Sequence, residues 1–240
     1  MNGQPRYGIY FAPERASAFW QFSSAWLGWD AETGEERTRP SLLAGAAADW
    51  DAAKLEKLIK VPKSYGFHGT LKPPFRLADG QSIELLSKRA EVFARSQKAF
   101  ICANVGVAAI GQFIAFRLKT DPTAMQALAQ ETVEVFDPFR APPPLEETAK
   151  RRAAGLTDRQ EVMLQKWGYP YVFDEFRFHM TLTGSIDDAS KQDRLASSLS
   201  EMASAAGASG AMRVSGIALY EQLTPETPFR LIRRLPFCGG

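Results

Sequence analysis

The sequence predicts a mixed α and β protein made of two similar lobes, and three observations predict it. Short aromatic and β-branched runs alternate with longer stretches whose apolar residues recur at i+3 and i+4, the patterns of strands and amphipathic helices. The phrase Phe67-His68-Gly69-Thr70-Leu71 returns as Phe178-His179-Met180-Thr181-Leu182, with four of five positions the same. The segments that follow each phrase repeat as well, at nearly the same offset.

In chain order, residues 7–11 form an aromatic strand that stops at Ala12-Pro13. A helix follows from Glu14, with Phe19, Phe22, Trp26 and Trp29 as a core stripe, and residues 30–40 read as a loop. A helix over 49–60 is expected to end before Pro62, because the residue before a proline disfavours helical backbone. Residues 65–75 carry the first His phrase on a strand that closes in Pro73-Pro74. Residues 83–96 form a helix capped by Ser82, with Ile83, Leu86, Ala90 and Phe93 on one face. Strands over 99–110 and 112–119 turn at Gly111. Asp121-Pro122 opens a helix striped by Met125, Leu128, Ala129, Thr132, Val133 and Phe136.

After a proline-rich break at 137–144, helices are expected at 145–152 and 157–167, the second opened by the capping box Thr157-x-x-Gln160. Gly168-Tyr169-Pro170-Tyr171 turns the chain into the second His strand, which ends at Thr183-Gly184-Ser185. A helix over 188–206, a Gly/Ser joint at 207–210 and strands over 212–220 and 229–235 complete the chain.

His68 and His179 stand 111 positions apart. Each His strand is followed by a helix and then a strand pair, within which Gly106-Val107-Ala108 matches Gly216-Ile217-Ala218. Gln112 and Gln222 each lie six residues after the Gly of that match. The reading is therefore two related lobes forming one unit: residues 1–111 with one His-x-Thr strand and 112–240 with the other, strands being exchanged between them. Residues 138–171, which have no counterpart of equal length apart from 30–64, are expected to cover the mouth of the cleft.

Composition excludes several classes. The 240 residues are 45% hydrophobic and 23% charged, ordinary globular usage for a chain with a sizeable core. A net charge of +2 is too small to argue for a nucleic-acid or membrane partner. Two cysteines, Cys102 and Cys238, lack metal-ligand spacing and point to reduced thiols. No apolar run approaches the ~20 residues of a membrane span. The N-terminus, Met1-Asn2-Gly3-Gln4-Pro5, lacks a signal-peptide profile. A cytoplasmic protein is expected.

The doubled phrase holds the only two histidines of the chain. On a strand, i and i+2 share a face, so His68 and Thr70 point one way while Phe67, Gly69 and Leu71 point to packing. The same holds for His179 and Thr181. Two lobes meeting face to face would bring two imidazoles and two hydroxyls to one site. A single histidine on an apolar strand is more often a satisfied core residue than a catalyst, and it is the doubling that reverses those odds. Histidine titrates near ~6.5, so one ring can accept a proton while the other donates one. Threonine hydroxyls can hold non-bridging phosphate oxygens. No cofactor is needed for this scheme, and two histidines are too few ligands for a closed zinc site.

The paired His-x-Thr-Leu phrases resemble the signature of the two-histidine (2H) phosphoesterase superfamily. Their surroundings, residues 65–75 and residues 167–182, resemble the branch found beside bacterial phosphonate-utilisation genes. The resemblance implies an α+β, bilobal fold with antiparallel sheets flanked by helices around a central cleft. It implies hydrolysis of a cyclic phosphodiester of a small sugar or nucleotide, with His68 and His179 catalytic and Thr70 and Thr181 binding phosphate. RNA end processing, 2′–5′ RNA ligase-like activity or a non-catalytic phosphate or RNA binder are the alternatives, the polymer readings weakened by the near-neutral charge.

Lys72, Tyr7 and Tyr10 are further candidates for substrate contact, Lys72 because it falls on the Thr70 face if the strand continues regularly. Arg177 is expected to point away from the cleft unless its strand is bulged, and Glu175 to share the His179 face. Lys150-Arg151-Arg152 reads as an exposed basic helix face, and of Arg233-Arg234 only one can face the cleft.

Overall fold

The computed structural model describes residues 4–238, so residues 1–3 of the N-terminal stretch read above, and 239–240, lie outside the described residues. The chain runs β1 (Arg6–Phe11), α1 (Ala18–Leu27), β2 (Trp29–Asp30), β3 (Glu35–Glu36), α2 (Ala44–Ala47) and α3 (Ala52–Tyr65). It continues through β4 (Gly69–Phe75), α4 (Ile83–Ser96), β5 (Phe100–Ile110), β6 (Phe113–Leu118) and α5 (Thr123–Phe136). Then come α6 (Leu145–Arg152), α7 (Asp158–Trp167), β7 (His179–Thr181), α8 (Ala189–Ala205), β8 (Gly210–Val214), β9 (Gly216–Gln222) and β10 (Arg230–Pro236).

Eight strands form one antiparallel sheet in the order β10-β9-β1-β4-β7-β6-β5-β8. The fold is α+β, and its halves meet where β4 pairs with β7. Strand register repeats across that seam. In one half Phe11 faces Gly69 and Tyr10 faces Ala218. In the other, Phe116 faces Met180 and Ala115 faces Ala108. Ala108 and Ala218 are the last residues of the matching tripeptides, so the repeat seen in sequence is a repeat of hydrogen-bond register. Strands on both sides of position 111 enter each half: β5 lies beside β6 and β8, while β9 and β10 lie on the β1 side.

The stretch expected as one strand over 212–220 is two, broken at Ser215. β8 lies at one edge of the sheet and β9 one strand in from the other. Val214 and Gly216 can be no more than about 7 Å apart, so the sheet must curl until its two ends come together.

Four helices, α1, α4, α5 and α8, pack on one face of the sheet. α5 lies against β4, α4 against β9 and β10, and α8 against β5 and β6. α1 crosses the seam: Phe19 and Phe22 meet the Phe116 ring edge-on, and the Trp26 indole donates to Leu182 O at 2.9 Å. The apolar stripes expected for α1, α4 and α5 line this core, except that Trp29 falls beyond α1 on β2 and is only partly buried; Trp20, Trp26 and Phe136 are fully buried. Each such aromatic contributes about 1.5–3 kcal/mol through removal from water. Caps fall as expected at Ser82 and in the Thr157/Gln160 capping box.

Three expectations are corrected here. Residues 30–40 contain a short hairpin of β2 and β3. Residues 65–68 belong to the end of a helix and a turn, so β4 starts only at Gly69. The helix expected to stop before Pro62 runs through it to Tyr65. A proline there cannot donate to Leu58 O, and that carbonyl accepts instead from Gly184 N at 2.8 Å. The orphan acceptor thereby ties α3 to the loop after β7. No helix among the described residues is long and apolar enough to cross a membrane. Cys102 is buried and Cys238 exposed, both unpaired.

Candidate active site

β4 and β7 pair at Gly69 and Met180. These are the two residues at the one unmatched position of the repeated phrase. In an antiparallel ladder the next positions on either side face each other, so His68 lies across from Thr181 and Thr70 across from His179. Cross-strand partners share a face. Gly69 is small for a reason on the opposite face: a Cβ there would run into the Phe178 ring. The four predicted residues are thus brought together in a crossed arrangement, each histidine beside the threonine of the other strand.

Both rings are held in the same way. His68 Nδ1 lies 2.9 Å from Gly66 O, and His179 Nδ1 lies 2.7 Å from Arg177 O. A carbonyl only accepts, so Nδ1 carries the proton in each ring and Nε2 is left as the acceptor. His68 Nε2 is 3.2 Å from Thr70 Oγ1, whose hydroxyl can donate to it. The carbonyl that holds each ring comes from two residues earlier in the chain, so the duplication extends to the tautomer. At Gly66 this needs φ of +71°, a left-handed backbone that glycine adopts without strain.

His68 sits among aromatic rings. Tyr10 stacks on it at 3.9 Å between centroids, with Tyr65 at 6.1 Å and Tyr220 at 5.9 Å. The Tyr220 hydroxyl donates to Phe67 O at 3.0 Å, fixing the backbone just before the histidine. Burial pushes the His68 ring down to about 4, aided by the like charge of His179 and opposed by the Gly66 carbonyl. His179, beside the Phe113 ring at 5.5 Å, is also lowered, first by burial and further by Arg117. Burial thus shifts both rings toward the neutral form. A bound phosphate would supply the negative charge that raises one of them.

His68 and Thr181 line a cavity of about 690 Å³, together with Tyr65, Gln112, Phe113 and Gly184. Thr70 and His179 line a second of about 170 Å³, walled by Tyr169, Tyr171 and Phe176. Ile110 borders both. Among the described residues, no group of three or more His, Cys, Asp or Glu side chains is placed to hold a metal ion.

Two of the secondary candidates lie elsewhere. Tyr10 pairs with Thr70 and Ile9 with Lys72, so one step along β1 spans two along β4. This bulge turns Lys72 to the helix face. There it is 2% exposed and donates to Val133 O at 3.2 Å and Asp137 Oδ1 at 3.1 Å. Burial pushes its pKa down to about 8, with Asp137 acting against that shift. Tyr7, three residues from Tyr10 on a regularly paired strand, also faces the helices. Burial and then Glu221 push its hydroxyl up to about 12. Of the two tyrosines only Tyr10 reaches the site.

Arg177, expected to point away, lines the cavity with His179 and Glu175. Positions 175, 177 and 179 are each two apart, so alternation itself puts them on one side. Arg233 and Arg234 are both committed, to Glu91 at 2.6 Å and to Glu32 at 3.0 Å. Sequence reasoning missed Arg117, which faces His179 across β6 and β7. It also missed Tyr65 and Tyr220. Period-2 alternation marks the faces of β6 and β9, but only strand pairing shows what those faces meet.

Fold and site together define an α+β protein with a duplicated His-x-Thr cleft on the face of a curled sheet opposite α1, α4, α5 and α8. The chain belongs to the family described as protein of unknown function (DUF1045), whose model matches residues 70–230. It is 34% identical over 236 residues to the protein named ribose 1,5-bisphosphate phosphokinase PhnN of Janthinobacterium sp. (strain Marseille), covering 98% of this chain and 51% of that one. The protein of the same name from Laribacter hongkongensis (strain HLHK9) is 34% identical over 230 residues, covering 95% and 51%. The chain thus spans about half the length of the curated relatives it matches. Among solved structures, E. coli LigT complexed with 3′-AMP is similar at 13% identity and a TM-score of 0.42, over 98% of this chain and 99% of that one. Kluyveromyces marxianus Usb1 is similar at 11% identity and a TM-score of 0.41, over 96% and 99%. At these scores the likeness decides nothing about chemistry.

Proposed function

We propose that this protein is a phosphodiesterase that opens a cyclic phosphate of a small sugar or nucleotide, with His68 and His179 as general acid and base. The observation that carries the reading is the crossed arrangement about Gly69 and Met180, with both Nδ1 positions held by carbonyls. One Nε2 takes a proton from water as its oxygen attacks phosphorus. The other imidazole, protonated, gives its proton to the ring oxygen as the P–O bond breaks, leaving a phosphomonoester and a free hydroxyl. Thr70 and Thr181 donate to the non-bridging oxygens. These side chains complete the proton balance without a cofactor.

A place in phosphonate metabolism follows from the resemblance of residues 65–75 and 167–182 to the phosphonate-associated branch, and a phosphoribosyl cyclic phosphate as substrate is supported by the name of the relatives. Opening such a ring yields a ribose bisphosphate, the class of compound in that name. The test is a panel of nucleoside and ribose cyclic phosphates, with products read by phosphorus NMR. His68→Ala and His179→Ala are each expected to lower turnover at least ~10²-fold, while EDTA leaves it unchanged. Full activity in either variant would overturn the two-histidine scheme.

A further inference from the structure

Beside the histidine cleft lies a third cavity, of about 400 Å³, lined by Arg6, Tyr65, Glu147, Lys150, Arg151 and Tyr171 among others. Its charge is unbalanced. Glu147 is neutralised by Arg76 at 2.8 Å. Arg152, the third residue of the basic run, turns outward to Glu161 at 2.6 Å. Among the described residues, no carboxylate lies within ion-pair distance of Arg6, Lys150 or Arg151, although other arginines around it, such as Arg76 and Arg140, are paired. Three cations converging on a concave surface without counter-charge repel one another, and an anion between them relieves that cost.

Two of the three cations are also held in place. Arg6 donates Nε to Gln222 Oε1 at 2.9 Å and lies over the Phe229 ring at 5.5 Å. Arg151 stacks over the Tyr169 ring at 4.6 Å. A guanidinium fixed by stacking keeps its edge for bidentate bonds to phosphate oxygens.

The cavity shares a wall with the histidine cleft on two sides. Tyr65 walls both it and the His68 cavity, and Tyr171 walls both it and the His179 cavity. Arg6, Gly8 and Tyr10 alternate on one face of β1, whose pairing with β9 is regular. Gly8 leaves room for the Tyr10 ring to lie back along the strand, and that ring stacks on His68.

We infer that the cavity bounded by Arg6, Lys150 and Arg151 is a second anion site, which takes a phosphomonoester carried by the same small molecule whose cyclic phosphate reaches the histidines. This rests on the phosphodiesterase reading for the identity of the second group, and on the cavity itself for the first. The site selects cyclic phosphates that bear a further, terminal phosphate. It also gives the basic run on α6 a role that an exposed helix face would not have.

The test is calorimetric titration of ribose 5-phosphate into the wild-type chain, the Lys150→Gln/Arg151→Gln variant and the Thr70→Val/Thr181→Val variant. Loss of charge-assisted hydrogen bonds in the basic variant should weaken binding at least ~10-fold, more than in the threonine variant. The ratio of kcat/KM for a cyclic phosphate with and without a 5-phosphate should fall toward one in the basic variant. Unchanged binding in the folded basic variant overturns the site. So does a loss that follows the threonine pair, or equal competition by an RNA oligonucleotide holding only internal phosphodiesters. Lys150→Glu, at an exposed helix position, reads the same site should the double variant not fold. Binding is measured without turnover, so failure of the anion site and failure of the two-histidine chemistry show in different experiments.

Discussion

Each catalytic candidate is a histidine whose proton position is set by the chain two residues back. Burial drives both rings toward neutral, and for His68 the pKa falls to about 4. The unfolded chain titrates near ~6.5. Between these values the folded protein binds fewer protons than the unfolded chain, so stability rises with pH across that window. The contribution is fully present above ~6.5 and is lost as pH falls toward 4. Because the His68 ring is half-buried, the effect is on the order of 2 kcal/mol, less than the full shift would give. Urea unfolding at pH 7 and pH 4.5 should show this loss in the wild-type chain and a smaller one in His68→Gln. Equal pH dependence of the two proteins would contradict the assignment. His68, Thr70, His179 and Thr181 were legible as residues because the phrase occurs twice. The tautomer was not, since it depends on where Gly66 and Arg177 aim their carbonyls.

Elements position these residues through departures from regularity. Pro62 removes one helical donor from α3, and Leu58 O turns to Gly184 N, so a helix and a loop flanking the His68 cavity are joined by one hydrogen bond. Gly184 permits that approach: a Cβ there would lie 2.7 Å from Leu58 O. Gly184→Ala should therefore cost about 1–3 kcal/mol by forcing backbone apart. It should also raise KM, since Val61, Pro62 and Gly184 wall the cavity. Thermal melts together with steady-state kinetics would check this, and an unchanged melting temperature would argue against a rigid contact. The bulge in β4 is the second departure. Without it, Lys72 would point at the phosphate site; with it, Lys72 anchors the end of α5 through Asp137. Pro73-Pro74 marks this interior strand as irregular, but which residue bulges is defined only relative to β1.

At the scale of the whole molecule, the two halves interleave. β9 and β10 complete the half that holds β1 and β4, and α1 packs across the seam onto Phe116. Residues 1–111 alone would leave β1 without β9 and expose the α1 stripe. That fragment should show no cooperative thermal transition by circular dichroism, and co-expression with 112–240 should restore one. A stable isolated fragment would mean that the halves are independent. The expected duplication is visible at this scale as repeated register, whereas the curl of the sheet follows from two residues of chain linking strands near its opposite ends.

Properties carried by neighbours along the chain were determined by the sequence itself: helix stripes, caps, the period-2 face of each His strand and the doubling that marks the site. These depend on spacings of two to four residues, which the backbone geometry of helix and strand imposes wherever the segment lies. Pairing was decided only by tertiary structure. The crossing of each histidine with the other strand's threonine, the removal of Lys72 and Tyr7 to the helix face, and the convergence of Arg6 with α6 all require a partner strand or helix distant in sequence. A hydrogen-bond ladder has two sides, and one strand's residues do not state which strand will supply the other.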